Sequence, residues 1–212
     1  MNKILETVPN FSEGRDLKKI EKIIEPFRGR QGVKLLDYQH DEDHNRLVVT
    51  VVGEPEPRKA AVISAIGVAV DEIDLRSHKG QHPRMGAVDV LPFIPVKGID
   101  RDEAVTISKE VAAEVSTLYD LPIFLYEASA SRPERANLAT IRKGQFEGMA
   151  EKLSQEQWQP DYGPAKPHPS AGVTAIGARM PLVAYNVNLD TDNLDIANDI
   201  ARKVRHISGG LR

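Results

Sequence analysis

Two histidines and several basic side chains lie close together in Ser77–Gly98, which reads SHKGQHPRMGAVDVLPFIPVKG. Pro83 follows His82, and a proline disfavours helix at the residue before it, so His82 is predicted to lie on an extended or turn segment. Imidazole can accept and release a proton near neutrality, and the neighbouring Lys79 and Arg84 attract anions. The pattern indicates acid–base chemistry on an anionic substrate, and the alternative is a surface loop whose charges are only solvated.

The glycines of the same segment and a second polar loop bear on what this histidine can contact. Gly80 and Gly86 are predicted to allow other atoms to approach closely. The stretch Gln39–Asn45 (QHDEDHN) carries two histidines and three acidic residues. Metal binding there is conceivable, but no further cluster of ligands is evident in the sequence, so we predict no metal and expect a loop that borders the site.

Composition restricts the classes of partner. The chain has 212 residues with 28 basic and 31 acidic side chains, a net charge of −3, so we expect no bulk attraction to nucleic acid or to anionic membranes. It has no cysteine, which excludes a disulfide framework. The start, MNKILETVPN, reaches polar residues too soon for a signal peptide, and no apolar run approaches the ~20 residues of a membrane span. We therefore expect a cytoplasmic protein.

Hydrophobic spacing predicts an alternation of strands and helices. The predicted strands are Lys3–Val8, Val33–Asp37, Arg46–Gly53, Ala87–Ile94 (ended by Pro95), Pro122–Glu127 and Leu182–Leu189. The predicted helices are Asp16–Phe27, Pro57–Leu75, Asp100–Tyr119 and Asn193–His206, together with a helical segment Arg132–Leu153 that Gly144 and Gly148 break. Gln155–Gly172 is rich in Pro and Gly, so no long element is predicted there.

This order predicts an α+β fold. The first six elements read β-α-β-β-α-β, which is the ferredoxin-like split βαβ arrangement. We expect a sandwich with a mainly antiparallel sheet and helices on one face. A boundary is predicted near Gly177–Met180, after the loop rich in Pro and Gly.

The long motif SHKG-x-HPRMGA-x-DV-x-PFIPV resembles the glutamate formimidoyltransferase (formiminotransferase) family, as do VPNFSEG at Val8–Gly14, DYGP at Asp161–Pro164 and GVTAIGARMPLVAYNVNL at Gly172–Leu189. The resemblance implies transfer of the formimino group of N-formimino-L-glutamate to N5 of tetrahydrofolate, with release of glutamate, in histidine degradation. It implies His82 as the catalytic acid–base, tetrahydrofolate as co-substrate and no metal.

The resemblance, together with side-chain chemistry, also suggests a set of binding residues. The amide of Asn10 can read the polar edge of a pterin, or Asn10, Ser12 and Glu13 can instead cap the next helix or form a turn. An acidic residue is common in the family where Gln39 stands here, and Asp37 or Asp41 could substitute for it. The residues predicted to bind substrate or folate are Asn10, Asn45, Arg46, Lys79, Arg84, Gly163, Pro164, Ala165, Lys166, Pro167, His168, Pro169, Ser170, Ala171 and Gly172.

The resemblance further implies two subdomains with folate between them. Residues 1–178 correspond to the N-terminal subdomain, and residues 179–212 to the beginning of a C-terminal subdomain that is incomplete here. The expected partners are the two small-molecule substrates and a second copy of the chain in a homodimer. The alternative is a non-catalytic folate-binding remnant, or a subunit that needs a separately encoded second subdomain.

Overall fold

The computed structural model describes residues 3–182 and 187–205, and its chain contacts divide into two units after Pro181. The first unit is built on one sheet, whose antiparallel half contains five segments. They are β1 (Ile4–Thr7), β2 (Asn10–Phe11), β3 (Val33–Asp41), β4 (Arg46–Gly53) and β5 (Val88–Lys97). Both β1 and β2 lie between β4 and β5, so they occupy one strand position, and the order is β3, β4, β1/β2, β5. This is the predicted ferredoxin-like order, and the α+β class is confirmed.

Two further strands extend the sheet beyond β5. They are β6 (Ile123–Leu125) and β7 (Thr174–Ala178), and β7 lies between β5 and β6 in parallel with both. The sequence analysis did not predict β7. This strand has only five residues, TAIGA, and all of them are buried. It therefore shows none of the polar–apolar alternation that reveals a half-exposed strand.

The helices cover the sheet in two groups. Helices α1 (Leu17–Ile24), α2 (Pro55–Glu72) and α3 (Arg101–Tyr119) share one hydrophobic core with the inward residues of β4 and β5. A second cluster joins α4 (Leu138–Arg142) and α5 (Gln145–Leu153) to side chains such as Val90 and Phe124. Neighbours of these side chains along the strands belong to the first core, so the second cluster lies on the opposite sheet face. The expectation of helices on one face was therefore wrong, because α4 and α5 cover the other face.

Several predicted boundaries were wrong for physical reasons. Strand β3 continues through Gln39 to Asp41, because an exposed edge strand pairs through its backbone and accepts polar side chains. Strand β5 continues through Pro95, although a proline has no N–H to donate to a neighbouring strand. Strand β7 pairs only with Val90–Phe93 of β5, so no hydrogen bond to β7 is lost at Pro95. Gly144, with φ of +96°, separates α4 from α5, whereas Gly148 lies inside α5.

The second unit has one helix among its described residues, α6 (Leu194–Val204), which Asn193 caps at its N-terminus. Its large apolar side chains, including Leu194 and Val204, are exposed. Part of the predicted strand Leu182–Leu189 lies outside the described residues, and no strand includes the remainder. Of the helices in residues 3–182 and 187–205, none has both the length and the apolar character needed to cross a bilayer.

Candidate active site

The segment that carries His82 is a loop held against the turn between β3 and β4. The backbone N–H of Gln81 donates to the Asp43 carbonyl (3.0 Å), and that of His82 lies 3.4 Å from the His44 carbonyl. At Gly80 a Cβ atom would stand 2.3 Å from the same His44 oxygen, so the close approach predicted for this glycine is confirmed. His82 is therefore on an irregular segment, as expected.

The His82 ring points its Nε2 atom at a buried carboxylate. Nε2 lies 3.8 Å from Asp89 Oδ2, and the two side chains are 14% and 1% exposed. This nitrogen is buried and has no hydrogen-bond partner, so Asp89 is the polar group it faces. The arrangement leaves Nδ1 as the ring nitrogen available for exchange with a ligand.

Asp89 is in turn fixed by two other groups. Its Oδ1 accepts a hydrogen bond from the backbone N–H of Met85 (2.9 Å), and its Oδ2 accepts one from Arg142 Nη2 (2.5 Å). A carboxylate can remain buried when it is paired and hydrogen-bonded in this way. Strand β5, the His82 loop and the end of α4 therefore meet at a single carboxylate.

Asp89 was not predicted from the sequence, which offered Asp37 or Asp41 as substitutes for the acidic residue common at the position of Gln39. In the structure Asp37 accepts from Gln39, and Asp41 accepts from His44. The available signal was a lone carboxylate in the apolar run of β5, a position where an unpaired acid is rarely tolerated.

A second network involves Arg84, which is buried with its guanidinium fully engaged. Its Nη1 and Nη2 donate to the two carboxylate oxygens of Glu147 (2.9 and 2.7 Å), and its Nε donates to His78 Nδ1 (3.2 Å). Since His78 Nδ1 accepts, Nε2 is the protonated nitrogen and donates to the Asn45 carbonyl (3.0 Å). Burial lowers the pKa of His78, and nearby Arg84 contributes, so the neutral ring is favoured.

Asn45 connects three segments through the same region. Its side-chain oxygen accepts from the Gly14 N–H (2.8 Å), and its side-chain nitrogen donates to the Lys79 carbonyl (3.0 Å). It has φ of +49°, the left-handed conformation that asparagine tolerates better than most residues. The geometry gives Asn45 a structural role, and its contact with substrate stays a prediction.

The other polar residues predicted to bind substrate or folate are less buried than Asn45 and Arg84. Asn10 is half-buried on β2 and donates to the Val8 carbonyl (3.0 Å). Arg46 begins β4, and its buried Nε has no hydrogen-bond partner. Lys79 is exposed on the loop and forms no ion pair with any described residue. Glu13 accepts from the backbone N–H groups of Arg15 and Asp16, so it supports the turn before α1, whereas Asp16 caps that helix.

The predicted folate loop, Gly163–Gly172, divides into two parts. His168 and Gly172 exchange backbone hydrogen bonds, while Ser170 and Ala171 accept from Leu75 and Ala87, so this end is tied to the protein. The backbone at this end of the loop is therefore not free to bind a ligand. Ala165 and Lys166 remain exposed, and the folate contact of residues 163–172 stays a prediction.

An open cleft of about 560 Å³ lies beside the His82 loop. It is lined by Pro83, Ala139, Thr140, Arg142, Lys143, Gly144 and Gln145. Lys143 is exposed on this wall and suits an anionic ligand, whereas Arg142 is paired with Asp89. Among residues 3–182 and 187–205, no group of three or more acidic or histidine side chains could hold a metal ion.

Comparison with known proteins identifies the family. A family model described as the N-terminal subdomain of the formiminotransferase domain matches residues 4–179. The chain is 54% identical over its full length to a glutamate formimidoyltransferase of Streptococcus pyogenes serotype M1, covering 71% of that protein. It is 40% identical over 98% of its length to a glutamate formimidoyltransferase of Thermoplasma acidophilum, covering 69%. A formimidoyltransferase-cyclodeaminase of Dictyostelium discoideum is 45% identical over 99% of the chain, which covers 39% of that protein.

The fold and site thus define a ferredoxin-like α+β domain in which a histidine faces a buried carboxylate. The chain belongs to the formiminotransferase family.

Proposed function

We propose that this chain is a transferase that moves the formimino group of N-formimino-L-glutamate to N5 of tetrahydrofolate and releases glutamate. The observation that carries the proposal is the 54% identity, over all 212 residues, to a protein named glutamate formimidoyltransferase. The histidine–carboxylate pair beside a basic cleft supports it, because the reaction needs proton transfer on an anionic substrate.

The reaction requires two proton movements around one carbon. The N5 nitrogen attacks the formimino carbon, and a tetrahedral intermediate forms. N5 then gives up its proton, the bond between carbon and the glutamate nitrogen breaks, and that nitrogen gains a proton. We assign both transfers to Nδ1 of His82, since Nε2 is buried against Asp89.

We assign binding roles to side chains that are exposed and not already paired within the protein. Lys79 is an exposed cation without an ion pair to a described residue, so it can meet a substrate carboxylate. The exposed residues Ala165 and Lys166 are our candidates for folate contact. Arg84 would have to exchange Glu147 for a substrate carboxylate, which makes it a weaker candidate.

Assembly and location form part of the same proposal. We propose a homodimer in the cytoplasm that acts in histidine degradation, and the absence of cysteine suits a reducing compartment. Light scattering on the purified chain tests the dimer directly.

The function is tested by a paired experiment on one preparation. Tetrahydrofolate is titrated by calorimetry, and formimino transfer from N-formimino-L-glutamate is followed in the same sample. We expect binding and transfer. Binding without transfer would instead support the alternative, a folate-binding chain that needs a further subdomain, and absence of both would contradict the proposal.

A further inference from the structure

A buried lysine holds the end of the short helix α4. Lys152, on α5, is 9% exposed, and its Nζ donates to the carbonyl oxygens of Thr140 (2.7 Å), Ile141 (2.6 Å) and Lys143 (3.1 Å). The last carbonyls of a helix have no partner within it, and a cation there both satisfies them and opposes the helix dipole. The ring of Trp158 lies 4.1 Å from the same ammonium.

The end that Lys152 holds is the end that reaches the candidate active site. Arg142 is the last residue of α4, and its Nη2 bonds to Asp89 Oδ2 at 2.5 Å. The same oxygen lies 3.8 Å from His82 Nε2. Consecutive contacts therefore connect the Lys152 ammonium with the His82 ring.

Helix α4 needs such a support. It has five residues, far fewer than a helix needs to persist by itself. Without the lysine, the last turn would fray at the point where Arg142 leaves the helix. The Nε of Arg142 is buried without a partner, and among the described residues its only hydrogen bond goes to Asp89, so nothing else there would keep its guanidinium in place.

We propose that Lys152 is a positioning residue for His82, acting through α4, Arg142 and Asp89. The inference rests on the proposed function in that His82 is taken as the proton-exchanging group. Arg142 offsets the charge of Asp89, whose Oδ2 atom also faces the His82 ring. Loss of the lysine frees Arg142, leaves Asp89 uncompensated and shifts the protonation of His82 towards higher pH.

The test compares Lys152→Met, which keeps most of the length of the side chain but loses the ammonium, with Lys152→Arg. The control is Lys109→Met, at an exposed cation on α3 outside the site. The readouts are kcat and KM across pH and the titration midpoint of His82 in histidine-resolved NMR. The NMR midpoint needs no turnover, so it separates failure of this inference from failure of the proposed function.

We expect Lys152→Met to lower kcat by up to about 10²-fold with little change in KM, because small misplacement of a reacting group is costly. The His82 midpoint should rise by roughly 0.5 to 1 pH unit, as expected when an opposite charge is uncovered. Lys152→Arg should recover part of both effects, and Lys109→Met should show neither.

Arg142→Gln provides a second variant in case Lys152→Met does not fold. It should raise the midpoint in the same way, and the effects of the two substitutions should not add, since they act in one chain of contacts. An unchanged His82 midpoint in folded Lys152→Met, or in Arg142→Gln, would overturn the inference. So would a loss of activity in Lys152→Met that tracks only the melting temperature.

Discussion

At the residue scale, the site depends on the buried carboxylate of Asp89 and on the two side chains that face it. Asp89 is 1% exposed and faces two partners of different kind, the Arg142 guanidinium and the His82 ring. Burying a carboxylate without a partner is costly, and the ion pair with Arg142 offsets that cost beside the histidine. This division of roles explains why an acid can lie within an otherwise apolar strand.

Replacing the carboxylate tests this directly. We expect Asp89→Asn to lower kcat by about 10²-fold, the lower end of the contribution of a positioned acid–base group, because the amide no longer orients His82. The matched control is Asp37→Asn, at the exposed carboxylate of β3 that bonds to Gln39. Steady-state transfer kinetics measure both variants. Equal activity of Asp89→Asn and the unsubstituted chain would contradict the role of Asp89.

Because His78 is partly buried, we predict that the free energy of unfolding falls in acid. Burial lowers its pKa in the folded state, so the unfolded state binds the proton more tightly. Stability from the neutral ring is therefore present above the unfolded pKa of about 6.5 and is lost as the pH falls below that value. Urea midpoints from pH 7.5 to 5 should fall for the unsubstituted chain and less steeply for His78→Gln. Parallel pH dependence in both proteins would contradict this account.

Sequence reasoning located the His82 loop because its chemistry is local. The proline, the glycines and the histidines of Ser77–Gly86 stand next to one another in the chain. Asp89 was missed because it lies within a run that predicts only a strand. Arg142 and Lys152 reach the site only through tertiary packing. In the sequence they are charged residues of a helical segment, and nothing there predicts which of them contacts the site.

At the element scale, the backbone at the end of the His82 loop packs closely against the backbone that leads into strand β7. At Gly86 a Cβ atom would stand 2.0 Å from the Val173 carbonyl oxygen, just before β7 begins. The ferredoxin-like half of the fold was predictable because its strands and helices show clear alternation or helical spacing. The parallel half was not, since β7 is a short central strand buried on both faces.

Two glycine substitutions should have opposite effects. We expect Gly86→Ala to lower the free energy of unfolding by about 1–3 kcal/mol, because the added methyl meets backbone atoms that cannot easily move. Gly148→Ala, inside α5 and with no atom within 4 Å of the new methyl, should raise it by about 0.5–1 kcal/mol. Urea denaturation measures both, and a neutral Gly86→Ala would show that the loop can move away from β7.

At the scale of the whole molecule, the core of the first unit contains a charge that the site does not use. Arg58, on α2, is fully buried, and none of its three guanidinium nitrogens has a hydrogen-bond partner. Its guanidinium lies over the Phe93 ring at 5.1 Å. Burial lowers the pKa of Arg58 to about 9, so folding carries a desolvation cost at neutral pH.

Removing that charge should stabilise the protein. We expect Arg58→Met to raise the free energy of unfolding at pH 7 by about 1–3 kcal/mol, as seen when apolar residues replace buried charges. Arg132→Met, at an exposed arginine, should change it by less than about 0.5 kcal/mol. A clear destabilisation by Arg58→Met would mean that stacking on Phe93 outweighs the desolvation cost.

The central claim is that His82, oriented by Asp89, exchanges the protons of formimino transfer. The most direct measurement is the rate of transfer from N-formimino-L-glutamate to tetrahydrofolate by the unsubstituted chain and by His82→Ala, with tetrahydrofolate binding measured alongside. We predict a loss of about 10²- to 10⁴-fold in kcat with binding retained. Transfer by His82→Ala at the unsubstituted rate would contradict the account.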